Sequence, residues 1–225
     1  MPDRAVIFDL DGTLVDTAPD LMKATNHVLE GFGRRPIGLD EVRVFVGHGA
    51  RALITRGLAA TGGLPENFDV EPFYHDFVDF YAGNISGGSV AFPGLIPLLD
   101  RLAGAGIAMG VCTNKLEGLS IRLLEALDLI KYFGSVVGPD TLGIAKPDPR
   151  PFHEAVARLG LAEPAAIMVG DSETDILTAR AAGVPVIGVP FGYTPKPVGD
   201  YGPDRVIAHF DEGWAAIQEL FAGLS

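Results

Sequence analysis

The chain has 225 residues, 48% hydrophobic and 20% charged, the composition of a folded globular protein rather than a disordered or fibrous one. Its 29 acidic and 17 basic residues give a formal charge of −12, which argues against nucleic acid or an anionic membrane as a partner. A single cysteine, Cys112, excludes an internal disulfide and fits a reducing compartment. No apolar run approaches the roughly 20 residues of a membrane span, and the start Met1-Pro2-Asp3-Arg4 lacks a signal-peptide layout. A soluble cytoplasmic protein, monomer or homodimer, is the expectation.

The first predicted element is a buried strand over Ala5 to Asp9, ended by Gly12. From Thr17 the pattern turns helical, with Leu21, Met22, Thr25, Val28, Leu29 and Phe32 at three-and-four spacing and stops at Gly31 and Gly33. Further helices are predicted over Leu39 to Phe45, Ala50 to Thr61 and Glu71 to Ala82, so residues 17–87 form an all-helical block with no strand before Gly83. After Gly87-Gly88 helices and strands alternate. Helices are expected at Leu95 to Ala105, Leu116 to Leu127, Pro151 to Leu159, Asp175 to Ala182 and Glu212 to Phe221. Strands are expected at Ile107 to Cys112, Ser135 to Val137, Ala166 to Val169, Pro185 to Val189 and Arg205 to Ala208. Such alternation predicts a doubly wound α/β core with a mainly parallel sheet, residues 1–16 and 88–225, interrupted after its first strand by the helical cap. Phe191 to Pro203, rich in glycine and proline, reads as a long surface loop.

In an open parallel sheet, reactive groups gather beyond the carboxyl ends of the strands. Four segments leave such ends with polar residues: Asp9-Leu10-Asp11-Gly12-Thr13, Thr113-Asn114-Lys115, Lys146-Pro147, and Gly170-Asp171 through Asp175. Four carboxylates, one hydroxyl and one or two ammonium groups then converge. The carboxylates of Asp9, Asp11, Asp171 and Asp175 raise one another's pKa values unless a cation sits among them, and all-oxygen donors suit Mg²⁺. Scattered histidines and a lone cysteine argue against zinc. Beside such a cation Asp9 can act as a nucleophile, while Thr113 and Lys146 bind a phosphoryl group and Asp11 serves as general acid and then base.

Those four segments, in that order, resemble the four motifs of the haloacid dehalogenase superfamily, and the helical block sits where that superfamily inserts its C1 cap. The resemblance spans nearly the whole chain. It implies an aspartyl nucleophile at Asp9, an acid–base at Asp11, and Mg²⁺ held by Asp9, the backbone carbonyl of Asp11 and Asp171, with Asp175 in support. Within the superfamily Val46-Gly47-His48-Gly49, Cys112-Thr113-Asn114-Lys115 and Phe191-Gly192-Tyr193 resemble phosphoglycolate phosphatases, although Leu116 stands where proline usually follows the lysine. The expected partner is a small carboxylated phosphate ester such as 2-phosphoglycolate, bound by Thr113, Asn114 and Lys146, with Gly47, His48, Gly49 and Arg51 from the cap. Phosphatases of other small esters or pyrophosphate, a phosphoglucomutase, a dehalogenase and a phospho-acceptor signalling module remain alternatives.

The bland readings are part of the same expectation. Asp16 and Thr17 are read as hinge and helix cap, Asp175 also as a helix cap, and Cys112 as core. Phe73, Phe77, Phe80 and Tyr81 are read as the interior of the cap rather than a substrate platform. His27, His75, His153 and His209 are assigned to the surface or packing.

Overall fold

In the computed structural model of the chain, which describes residues 4–161 and 166–224, the first strand β1 (Ala5–Phe8) is buried at every residue. Burial on both faces is what the centre of a parallel sheet requires of a continuous apolar run. The other strands of this sheet are β4 (Ala108–Cys112), β5 (Ser135–Val137), β6 (Ala166–Gly170), β7 (Val186–Gly188) and β8 (Arg205–Val206). Their order is β5-β4-β1-β6-β7-β8, and every pairing is parallel, with Phe8 level with Val111 on one side and Val169 on the other. The chain winds outward from β1 through β4 and β5, then crosses to β6 and continues the other way. The carboxyl end of β1 therefore lies at the switch point where such sheets open a crevice.

Alternation along β1 divides the core. Val6 and Phe8 pack with α5 (Leu95–Gly104), α6 (Glu117–Ala126) and α10 (Gly213–Gly223) on one face. Ala5 and Ile7 pack with α8 (Arg150–Arg158) and α9 (Glu173–Ala182) on the other, where Cys112 lies as core. Each fully buried large side chain contributes about 1.5–3 kcal/mol. The start at Met1-Pro2-Asp3 lies outside the described residues. No described helix is long and apolar enough to cross a membrane.

Four helices follow β1: α1 (Ala18–Gly31), α2 (Leu39–Phe45), α3 (Gly49–Ala60) and α4 (Glu71–Gly83). They enclose a separate apolar cluster built on Leu21, Leu29, Ile54, Leu58, Phe77 and Tyr81. Two features escape periodicity. A two-residue antiparallel ribbon joins β2 (Val15–Asp16) to β3 (Val90–Ala91) where the chain leaves and re-enters the sheet layer, and a single helical turn, α7 (Pro139–Leu142), follows β5. Segments this short carry no usable period. The ribbon is secured by Asp20, whose Oδ2 accepts from the Gly88 and Ser89 amides at 2.9 and 2.8 Å and from Ser89 Oγ at 2.7 Å.

The stretch 191–203 departs from the surface-loop expectation. Tyr193 and Val198 are 4% and 1% exposed, because Tyr193 joins the apolar cluster of the helical block and Val198 the face of the sheet under α9; a 3-10 turn spans Val198–Tyr201.

Candidate active site

β1 delivers Asp9 one residue beyond its last paired position, β4 delivers Thr113 and β6 delivers Asp171, all at the same edge of the sheet. Parallel, in-register strands bring these chain-distant groups together. α9 begins at Glu173, two residues before the predicted start, because Asp175 reaches back to accept from the backbone and hydroxyl of Ser172 at 3.1 and 2.7 Å. Asp175 thus caps its helix with Oδ2 while Oδ1 turns inward.

Lys146 fills the space between. Its Nζ donates to Asp9 Oδ1 at 2.8 Å and Asp175 Oδ1 at 2.6 Å, and its side chain is 2% exposed. Burial alone would push this ammonium down, but Asp175 and Asp9 more than offset it and hold it above its ordinary value. The backbone of Lys146 is held in turn by Asn114, which accepts the Lys146 amide at 2.9 Å and donates to its carbonyl at 3.2 Å. The same Asn114 amide reaches the Gly47 carbonyl of the helical block at 3.2 Å.

Asp9, Asp171 and Asp175 are buried and offer carboxylate oxygens within 4.8 Å of one another. Burial raises Asp9 to about 7; Lys146 opposes the rise and Asp175 adds to it. Burial, then Asp175 and Asp9, raise Asp171 well above the usual carboxylate range. Three clustered carboxylates facing one ammonium form an electron-rich, hard-oxygen donor set, and that set fits Mg²⁺. Asp171 is further oriented by Thr13 Oγ1 at 2.9 Å and by the Tyr193 amide. The packing around it leaves no room for a side chain: a Cβ on Gly12, whose φ is +88°, would meet Asp171 Oδ2 at 2.6 Å, and one on Gly192 would meet Asp171 Cβ at 2.4 Å.

Asp11 lies beside this cluster rather than in it. Thr17 Oγ1 donates to Asp11 Oδ1 at 2.7 Å, and Lys115 Nζ donates to both Asp11 oxygens at 2.9 Å. The Thr17 hydroxyl therefore serves Asp11 and does not cap α1, contrary to the expectation. The free amide of Ala18 is met instead by Tyr193 Oη at 2.8 Å and Asp16 Oδ1 at 3.3 Å. Asp16 also accepts from Tyr193 Oη and pairs with Arg43 of α2 at 3.0 Å.

A cavity of about 230 Å³ opens over these groups. Asp9, Asp11, Thr113, Asn114, Lys146 and Asp175 line it from the sheet, and Gly47, His48, Gly49 and Arg51 border it from the helical block. Arg51 is already engaged, bidentate on Glu71 at 2.6 and 2.9 Å and stacked 3.6 Å over the Tyr74 ring. Burial and Arg56 hold His48 below its ordinary value. Phe77 and Tyr81 pack in the helical interior, as expected, yet both also face the cavity. Sequence reasoning gave no site role to Thr13, Thr17, Tyr81, Lys115 or Tyr193. Thr13, Lys115 and Tyr193 stood inside quoted motifs; Thr17 and Tyr81 had no signal beyond a helix start and a helical period.

A family model described as haloacid dehalogenase-like hydrolase matches residues 6–189. The chain is 44% identical over 206 residues to a phosphoglycolate phosphatase of Mesorhizobium japonicum, covering 92% of this chain and 91% of that one. It is 45% identical over 204 residues to a phosphoglycolate phosphatase of Agrobacterium fabrum, covering 91% and 88%. Among solved structures, a predicted phosphoglycolate phosphatase from Haemophilus somnus superposes with a TM-score of 0.88 at 29% identity, over 96% of this chain and 98% of the other.

Proposed function

We propose, on the premise that the chain belongs to the haloacid dehalogenase-like hydrolase family and is a phosphoric monoester hydrolase, that it is a cytoplasmic Mg²⁺-dependent phosphatase acting on 2-phosphoglycolate through a phospho-aspartate on Asp9. The observation that carries this reading is the placement of Asp9 on the cavity floor, with Lys146 Nζ 2.8 Å from one oxygen and the Asp171 and Asp175 carboxylates alongside. The substrate reading is supported by the relatives named phosphoglycolate phosphatase, 44% and 45% identical to this chain. We take residues 1–16 and 88–225 as the catalytic core and 17–87 as the cap, since the four helices hold an apolar cluster of their own.

Asp9, Asp171, Asp175 and the backbone of Asp11 would hold Mg²⁺, which when bound supplies positive charge beside the phosphoryl oxygens. Lys146 and Thr113 receive the phosphoryl group on the sheet side and neutralise its charge. An oxygen of Asp9 attacks phosphorus, the Asp9–phosphorus bond forms, and the ester phosphorus–oxygen bond breaks. Asp11 gives its proton to the departing alkoxide. It then takes a proton from water, whose oxygen bonds to phosphorus as the Asp9–phosphorus bond breaks, releasing phosphate and regenerating Asp9. Gly47, His48, Gly49 and Arg51 border the substrate and keep water from the leaving group. Phosphate release is measured from 2-phosphoglycolate, sugar phosphates, nucleoside monophosphates and pyrophosphate, with Mg²⁺ and with EDTA. Mg²⁺-dependent preference for 2-phosphoglycolate, abolished by Asp9→Asn in a folded protein, is the expected result. Undiminished release by Asp9→Asn, or by wild type in EDTA, overturns the mechanism.

A further inference from the structure

We propose that Lys115, with the Tyr81 hydroxyl, binds an anionic group on the alcohol portion of the substrate and so selects carboxylated phosphate esters. The inference rests on the phosphatase reading above and deepens it. Among the described residues, three cations line the cavity: Lys146, Lys115 and Arg51. Lys146 is bound between Asp9 and Asp175 on the phosphoryl side. Arg51 sits at the rim with 51% of its side chain exposed and both forks of its guanidinium on Glu71, so water and Glu71 already satisfy it. Lys115 differs on both counts. Its side chain is 6% exposed, and its ion partner is Asp11, the group that must face the ester oxygen of the leaving alcohol.

That pairing places the ammonium on the leaving-group side of the cavity. In 2-phosphoglycolate the carboxylate stands one methylene from the ester oxygen, next to the group that protonates it. A buried ammonium has a strong demand for anionic oxygen, because water cannot solvate it. An incoming carboxylate can take Lys115 over from Asp11, leaving the Asp11 oxygens clear to face the ester oxygen. A neutral alcohol offers nothing in exchange.

Tyr81 supports the same placement independently. Its ring centroid lies 4.5 Å from Lys115 Nζ, its side chain is 1% exposed, and it lines the cavity. Its hydroxyl makes no hydrogen bond of normal geometry among the described residues, although it lies near enough to Lys115 for each to shift the other's protonation. A buried phenol proton without an acceptor is an unspent donor, and a second carboxylate oxygen would take it.

The test compares kcat/KM for 2-phosphoglycolate and for ethyl phosphate, which lacks the carboxylate, in wild type, Lys115→Met, Lys115→Arg and Tyr81→Phe. Lys115→Met is expected to lower the ratio of the two by about 30-fold, the size of a charged hydrogen bond, mainly through KM for 2-phosphoglycolate. Lys115→Arg is expected to recover part of the ratio. Tyr81→Phe removes one hydroxyl and keeps the test open should Lys115→Met not fold; it is expected to lower the ratio by about tenfold. Equal loss on both esters in Lys115→Met would mean that Lys115 serves Asp11 or the fold alone, and would overturn the proposal. So would an unchanged ratio in Tyr81→Phe together with full preference in Lys115→Met. Absence of phosphate release from either ester by wild type would instead remove the phosphatase reading, and this inference with it.

Discussion

Replacement of Asp171 by Asn should separate the two roles of the carboxylate cluster by giving them opposite signs. In the cation-free protein, Asp171 stands within 4.8 Å of Asp9 and Asp175, and two unit charges at that distance repel by about 3.5 kcal/mol at an effective dielectric constant of 20. Asparagine has the same shape. Its carbonyl can accept the Tyr193 amide, and its NH₂ can donate to the Thr13 hydroxyl, which turns to accept, so both hydrogen bonds survive. Because a set of close carboxylates shares protons, part of the repulsion is already relieved, and we expect a gain of about 1–2 kcal/mol in EDTA at pH 8, about 2–8 °C in Tm. Wild type behaves oppositely with Mg²⁺. At 100 times its dissociation constant the ion stabilises by about 2.7 kcal/mol, or about 5–10 °C. Asp171→Asn should lose that shift.

The pH dependence has a definite sign. Burial raises Asp9 from 3.8 to about 7, so the folded protein keeps a proton that the unfolded chain releases. Cation-free stability is therefore greatest below about pH 4 as far as this group is concerned and falls as pH rises to about 7. Mg²⁺ should flatten that slope. Thermal melts in EDTA and in Mg²⁺ at pH 5, 6.5 and 8 read all three effects without any turnover. An Asp171→Asn protein that keeps the full Mg²⁺ shift, or that melts several degrees below wild type in EDTA at pH 8, would refute the reasoning.

Asp20→Ala removes the acceptor of two buried donors, the amide and hydroxyl of Ser89, and of the half-buried Gly88 amide at the β2–β3 ribbon; each buried donor costs about 1–3 kcal/mol when orphaned, so Tm should fall by at least about 4 °C. Burial would raise the Asp20 carboxyl, but hydrogen bonds from Ser89, Lys23 and Gly88 outweigh it and hold it below 3.8. The stabilisation is thus present above about pH 4 and lost as pH falls through the folded value, and the deficit of Asp20→Ala should shrink in melts at pH 3. Tyr193→Phe deletes the hydroxyl that meets the Ala18 amide and Asp16, and should cost about 1–2 kcal/mol by urea titration while leaving the m-value unchanged. No change in either variant's stability would refute the role given to that contact.

Much of this molecule was legible in one dimension. The run Ala5 to Asp9 is apolar at every position and then acidic, which only a strand buried on both faces and ending at a crevice accommodates, and β1 is that strand. The three-and-four spacing of Leu21, Val28 and Leu29 prescribes a helix whatever surrounds it, and α1 follows. The convergence of Asp9, Thr113 and Asp171 was legible because each directly follows a strand, and parallel in-register strands carry all three to one end of the sheet, whereas Lys146 and Asp175 reach the same place from a loop held by Asn114 and from the first turn of α9.

Other features depend on groups far apart in the chain and leave no local period. The β2–β3 ribbon pairs residues some 75 positions apart and is secured by Asp20 from a helix, so neither strand has a pattern long enough to read. Thr17 sits where helix caps sit, and only the proximity of Asp11 turns its hydroxyl elsewhere. Tyr193 lies in a glycine- and proline-rich stretch that reads as surface, yet the apolar cluster of the helical block buries it against Asp16 and Asp171. Tyr81 has the helical period of a core residue, and its packing is that of one. That its ring also lies 4.5 Å from Lys115 Nζ at the cavity was decided by how residues far apart in the chain pack together, a distance no sequence spacing encodes.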